Sequence, residues 1–338
     1  MEVRAKKALG QHFLTDQRIA QAIVDALRFL DSALPGSARN DNGTSPVIST
    51  KAEGGARVIS TKAEGGAPVI STKAEGGALV ISTKAEGDDF VISTKAEGRV
   101  EKSRMDVLEV GPGMGVLTQY LLQREDIDLK LVEIDGESVD YLLTHFPGMQ
   151  GRLLQADFLR LKLEKIFPER FAVIGNFPYN ISSQIFFKVL DYRERIPEVV
   201  CMIQKEVAER IAEGPGSKTY GILSVLLQAW YDIEYLFSVG SGCFAPPPKV
   251  ESAVIRLTRN GRTDLGCDES LFRAVVKTAF GQRRKMMRNP LKPLIAAKAA
   301  REGWTDEEKA AFTANPVFER RPETLSVEDF IDLTNLLT

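Results

Sequence analysis

The sequence predicts an α/β protein: a doubly wound, mostly parallel sheet followed by a small C-terminal helical domain. Three observations predict it. From residue 105 onward, short apolar runs alternate with amphipathic helical stretches, as in a parallel sheet wound by helices. The first run opens onto the glycine turn Gly111-Pro112-Gly113-Met114-Gly115 and then a helix-period face. The final segment, from residue 263, has helical periodicity and a block of basic residues.

Composition sets the outer bounds. The 338 residues carry 44 Lys and Arg against 46 Asp and Glu, a net charge of −2, and 43% are hydrophobic. Such a chain is neither disordered throughout nor collagen-like. Cys201, Cys243 and Cys267 are odd in number, widely spaced and form no CxxC pair. They read as reduced thiols of a cytoplasmic protein, with no metal site expected. No run of eighteen apolar residues occurs, so no membrane span is expected, and the basic N-terminus lacks the apolar core of a secretory signal. Net charge near zero would by itself argue against a nucleic-acid partner.

Residues 1–32 read as an N-terminal segment that completes the site, with an amphipathic helix from Asp16 to about Leu30. Residues 33–104 read as an insert. The unit VISTKAE begins at Val47, Val58, Val69, Val80 and Val91, a period of eleven residues. That period suits a right-handed coiled coil, but the Gly-Gly pairs between units oppose a helix. A β-solenoid is conceivable, since VIST favours strands and EGGA favours turns. Each copy offers only Val, Ile and Ala for a core, and Phe90 is the single aromatic of the segment. The expectation is a flexible low-complexity loop. Lengthening a loop from about five to about seventy residues costs roughly 2 kcal/mol of closure entropy, which a folded domain tolerates.

Residues 105–262 carry the chemistry. Asp106–Val110 is a short apolar strand, and Gly111, Gly113 and Gly115 permit a tight turn with close approach of a ligand to the backbone. Glu133 follows at the next strand end, placed to accept ribose hydroxyls, as dinucleotide and S-adenosylmethionine (SAM) sites both require. Asp157 ends a third strand, where a carboxylate could accept the adenine amino hydrogens or simply cap a helix. The fourth strand, Phe171–Gly175, runs into Asn176-Phe177-Pro178-Tyr179. An adenine N6 amine is a poor nucleophile because its lone pair is delocalised into the ring. Two acceptors, the Asn176 side chain and the Phe177 carbonyl, could bind its hydrogens and favour the pyramidal form without a titrating base. Pro178 fixes the backbone, and Tyr179 offers a stacking face for a flipped base.

Taken in order, GQHFLTDQRIAQAIVDAL, LEVGPGMGVLT, VEID, ADFL, IGNFPYNISSQI, FAPPPKVESAVIRL and AFGQRRKMMRNPLK resemble the ribosomal RNA adenine N6,N6-dimethyltransferases. The resemblance is greatest to the bacterial small-subunit branch and spares only the insert. It implies a Rossmann-like SAM-dependent methyltransferase domain that dimethylates two adjacent adenines in the 3′-terminal hairpin of 16S rRNA, within an immature 30S subunit. It also implies SAM contacts at His12, Leu14, Gly111, Gly113, Glu133, Asp157 and Asn176, and catalysis by Asn176, Phe177, Pro178 and Tyr179. Many members carry Asn where this chain has His12. Phe244 either stacks on the target base opposite Tyr179 or is an ordinary core residue.

Residues 263–338 read as a helical RNA-binding domain. From Leu271 to Arg301 there are nine basic residues and no acidic one, including Lys277, Arg283, Arg284, Lys285 and Arg288. A concentrated basic stripe suits phosphate contacts whatever the chain total. The expected enzyme is monomeric, with no metal. Two other readings keep parts of this: the same chemistry on large-subunit rRNA, or a non-catalytic 30S assembly factor.

Overall fold

The computed structural model describes residues 6, 11–28 and 104–338, together with the backbone of five short strands between residues 49 and 94. The chain divides into two compact units, Met1–Pro35 with Arg104–Thr338, and Gly36–Ser103.

The first unit begins with β1 (Phe13–Leu14) and helix α1 (Gln17–Asp25). Asp16 starts the helix by accepting the Arg18 and Ile19 N–H groups. The helix stops several residues before the expected Leu30. Its C-terminal carbonyls are taken instead by side chains: Arg124 donates to Val24 and Leu27, and the buried Arg256 donates to Ala26. Glu198 accepts the Arg28 N–H. Arg124 also pairs with Asp126, whose carbonyl accepts Met105 N–H at 2.9 Å. One guanidinium therefore clasps the chain where it leaves for residues 29–103 and where it returns.

The second unit is described by its backbone alone. Where a flexible loop is expected, the backbone forms β2 (Ser49–Glu53), β3 (Ala56–Ser60), β4 (Val69–Glu75), β5 (Ala78–Ala85) and β6 (Asp88–Thr94). They pair as an antiparallel meander in sequence order, with Ser71 opposite Ser82 and Ser82 opposite Val91. The physical reason is local: β-branched Val, Ile and Thr favour extended backbone.

The first unit resumes with β7 (Met105–Val110), α2 (Thr118–Leu121), β8 (Ile127–Glu133), α3 (Gly136–His145), β9 (Leu153–Gln155), β10 (Phe171–Asn176) and α4 (Ser182–Asp191). It continues through β11 (Glu198–Gln204), α5 (Lys205–Ala212), α6 (Ile222–Gln228), β12 (Tyr231–Val239), β13 (Phe244–Ala245) and β14 (Ser252–Arg259). The main sheet has the order β12-β14-β11-β10-β7-β8-β9. Strands β9, β8, β7, β10 and β11 are parallel, and β14 runs antiparallel between β11 and β12. Residues of β10 alternate between two cores: Phe171 and Val173 join one face, Ala172 and Ile174 the other. A strand buried on both faces is what helices on both sides of a sheet produce.

Four helices close the unit: α7 (Glu269–Gly281), α8 (Lys292–Glu302), α9 (Asp306–Thr313) and α10 (Val327–Leu337). Phe272, Val275, Val276 and Ala279 are the buried face of α7, as the sequence periodicity indicates. They share one continuous core with Val173 and Val199 of the sheet, so residues 263–338 pack as part of the first unit and form no separate one.

Candidate active site

Winding runs outward from β7 to β9 and then jumps back to β10 on the other side of β7. The carboxyl ends of β7 and β10 thus flank the switch point, where open α/β sheets bind ligands. A cavity opens there, lined by Gln11–Leu14, Glu109, Gly111–Met114, Glu133, Ile134, Asp157, Leu159 and Asn176–Ile181 among others. All seven residues expected to hold SAM line it, as do Phe177, Pro178 and Tyr179.

The glycine turn has a strict steric requirement at Gly113. Its φ is +55°, and a Cβ there would lie 3.0 Å from the Phe13 ring. Phe13 belongs to β1, which pairs antiparallel with β13 through Leu14 and Phe244. The N-terminal segment is therefore seated directly on the turn.

Glu133 is 5% exposed, and its carboxylate accepts Gly113 N–H at 3.1 Å on one oxygen, with Ile134 and Asp135 N–H on the other. Burial raises its pKa against the pull of those three N–H groups. Glu109, absent from the sequence expectations, lies beside it in the cavity wall. It is 1% exposed and accepts from the Thr118 hydroxyl at 2.7 Å. Burial pushes its pKa up to about 8, the Thr118 bond opposing and the Glu133 charge assisting. The signal was present in the sequence as an acidic residue inside the apolar run before Gly111.

At the end of β10, Asn176 Nδ2 donates to the His12 carbonyl at 3.0 Å. Among the described residues no hydrogen bond uses Asn176 Oδ1. Phe177 is fully buried, with its N–H bound to Met202 and its ring edge-on to Phe186. The Tyr179 hydroxyl bonds to Ser252 at the start of β14. The Tyr179 ring faces the His12 imidazole, with centroids 5.6 Å apart and an interplanar angle of 27°. Phe244 is 4% exposed, belongs to the same buried cluster as Leu14 and Val254, and is not among the residues that line the cavity.

Two lysines outside the expected set brace the rim. Lys188 donates to the Leu159 and Leu161 carbonyls, holding the loop that follows Asp157. Burial lowers its pKa, against the attraction of Asp157, Glu164 and Asp191. Lys6 pairs with Asp135 and with Glu137 at 3.1 Å, and its backbone N–H donates to Gln11, so the N-terminal segment is tied to the start of α3. Asp157 itself accepts Leu159 N–H at 2.9 Å, which is the helix-cap geometry. Among the described residues no cluster of three or more His, Cys, Asp or Glu side chains could hold a metal ion. Among those residues no helix is long and apolar enough to cross a membrane.

The basic stripe separates into two groups. Arg283 is committed internally, bonding Glu323 and the Ser217 carbonyl at 3.0 Å each, and so does not present a free cation as expected. Arg288 lies 3.9 Å from Glu319. Lys277, Arg284 and Lys285 are exposed on α7 and the turn after it, and none has an ion pair among the described residues.

Comparison with known proteins agrees with this geometry. The family model for ribosomal RNA adenine dimethylase matches residues 91–331. The chain is 60% identical over 230 residues to the ribosomal RNA small subunit methyltransferase A of Parabacteroides distasonis, covering 68% of this chain and 82% of that one. It is 45% identical over 337 residues to the Cytophaga hutchinsonii protein of the same name, covering 100% and 98%. A dimethyladenosine transferase from Plasmodium falciparum shares the fold, with TM-score 0.57 and 22% identity over 69% of this chain and 90% of that one. The sheet order, the glycine turn and Asn176–Tyr179 at the switch point, together with these matches, place the chain in the ribosomal RNA adenine dimethylase family.

Proposed function

We propose that the protein transfers methyl groups from SAM to the N6 amines of two adjacent adenines in the 3′-terminal hairpin of small-subunit rRNA. It acts as a cytoplasmic monomer on the immature 30S particle. The observation that carries the reading is the orientation of Asn176: one amide hydrogen is donated to the His12 carbonyl, while Oδ1 accepts no hydrogen bond among the described residues and the side chain lines the cavity.

SAM, when bound, supplies an electrophilic methyl group on a sulfonium. The chain's own residues fit such a ligand. The turn Gly111–Gly113 admits close approach, and Asp157 stands at the cavity wall for the adenine amine. Glu133 already uses three of the roughly four acceptor positions of a carboxylate. It would accept one ribose hydroxyl on the oxygen that holds Gly113, and a second only by releasing that N–H. Asn176 Oδ1 and the Phe177 carbonyl bind the two N6 hydrogens of the target and favour the pyramidal amine. This is electrostatic preorganisation, and the proton leaves to solvent after transfer. Tyr179, fixed by Ser252, supports the extruded base. The exposed Lys277, Arg284 and Lys285 contact phosphates, with Arg288 at the edge of the group.

Labelled SAM with immature 30S, mature 30S, 50S and naked rRNA tests the proposal. Methyl incorporation into immature 30S is the expected result, and Asn176→Ala removes it while RNA binding persists. Incorporation into 50S alone moves the substrate to the large subunit. RNA binding without incorporation leaves an assembly factor.

A further inference from the structure

We propose that Lys188 is a positioning residue for the cofactor: from α4 it fixes the loop that forms the wall of the site facing the adenine of SAM. The proposal deepens the SAM-binding reading given above and rests on it.

The loop after β9 has little of its own to hold it. Asp157, the expected acceptor for the cofactor's adenine, receives Leu159 N–H on Oδ1, and its Oδ2 lies 3.4 Å from Arg160. The Arg160 side chain is 90% exposed, and an ion pair so placed adds little rigidity. Lys188 supplies what the loop lacks. Its ammonium donates to the Leu159 carbonyl at 3.0 Å and to the Leu161 carbonyl, and among the described residues neither carbonyl has another partner. The Leu159 backbone is thus gripped twice, its N–H by Asp157 and its C=O by Lys188, and both Asp157 and Leu159 line the cavity. Lys188 is 9% exposed, so these bonds are kept from water, and its Nζ lies 5.2 Å from the centre of the Phe158 ring. Four residues on, just past the end of α4, Tyr192 donates its hydroxyl to Glu164. Side chains one helical turn apart therefore hold the chain between Asp157 and Glu164 at two places.

The other end of α4 is attached to the target side of the site. The Ser182 hydroxyl donates to the Tyr179 carbonyl at 3.3 Å, and Phe186 meets Phe177 edge-on with centroids 5.9 Å apart. One helix therefore braces both walls: its first turn adjoins Asn176–Tyr179, and Lys188 reaches from its last turn to Asp157 and Leu159. Removing the ammonium leaves two carbonyls without a partner and frees Leu159, and with it the Asp157 carboxylate. The loss falls on holding the adenosyl group and not on methyl transfer from a ligand already held. SAM and S-adenosylhomocysteine share that group, so both should lose affinity by the same factor.

Calorimetry with SAM and S-adenosylhomocysteine tests the role on wild type, Lys188→Met and Lys188→Arg, with kcat and KM for SAM measured on immature 30S. K188M should bind both ligands about tenfold or more weakly, by the same factor and at full stoichiometry, with kcat at saturating SAM within about threefold. K188R, which keeps the charge and the donors, should recover at least half of that loss on a logarithmic scale. Lys188→Gln, with one donor group and no charge, should fall between the two and carries the test where K188M does not fold. Unchanged affinity in K188M, or in K188Q where K188M does not fold, would overturn the proposal. So would full affinity at reduced stoichiometry, which marks partial unfolding, or a fall in kcat with affinity retained, which places the effect at the target base. Equal loss in K188R would trace the effect to the packing of α4 and overturn the proposal as well. Wild type that binds neither ligand would sink the SAM reading itself. Wild type that binds both but methylates no rRNA would sink the proposed substrate and leave the role of Lys188 to the calorimetry.

Discussion

Replacing Glu109 by Gln isolates the electrostatics of the cavity wall. Glu109 is buried, and burial pushes its pKa up to about 8 from an ordinary carboxyl value of 4.5. A carboxyl whose folded pKa is raised binds its proton more tightly in the native state. Its contribution to stability is therefore complete below about pH 4.5 and is lost as pH rises through about 8. The gap of about 3.5 units corresponds to about 5 kcal/mol over the full range, and about half of that falls between pH 6 and 9. Gln keeps an acceptor for the Thr118 hydroxyl and does not titrate. Urea unfolding of both proteins from pH 5 to 9 should show the variant gaining on wild type by about 1.4 kcal/mol per pH unit up to about pH 8, then levelling. A difference that stays flat across that range would mean that Glu109 ionises normally in the folded protein. Burial would then not govern the Glu109 carboxyl.

The other predictions concern packing, charge and the repeat unit. Gly175→Ala places a Cβ 2.4 Å from the Val110 carbonyl across β10 and β7, and should destabilise by about 1–3 kcal/mol or more by urea midpoint. Arg284→Ala with Lys285→Ala should weaken rRNA binding and reduce the slope of log K against log salt by about 0.7–0.9 per lost phosphate contact, with unfolding unchanged. Arg283→Ala should do the reverse, costing about 1 kcal/mol of stability through Glu323 and Ser217 while leaving that slope in place. Removing residues 36–103 and rejoining the ends should leave methyl transfer within about twofold, because α1 and β7 are fixed by contacts within their own unit.

Much of the site is legible in the sequence because its signals are local. A glycine turn after an apolar run, an acidic residue at the next strand end and Asn176-Phe177-Pro178-Tyr179 at the fourth each need only a few adjacent residues. What was not legible depends on partners distant in the chain. Arg283 looks like its neighbours until Glu323 and Ser217 are brought against it. Phe244 is placed beside Leu14 only by the pairing of β13 with β1, residues some 230 positions apart. Lys6 and Lys188 gave no sequence signal, because each acts by reaching residues far away in the chain. The repeats carry strand signals in every copy, and among the described residues successive units pair as antiparallel strands.

The clasp formed by Arg124 and Asp126 has a consequence for how this chain could grow. An addition between elements normally lengthens the path by which one pushes on the next. Here the points where the chain departs and returns are tied to one another through Arg124 and Asp126, so their spacing is set within the first unit, whatever the length of chain between them.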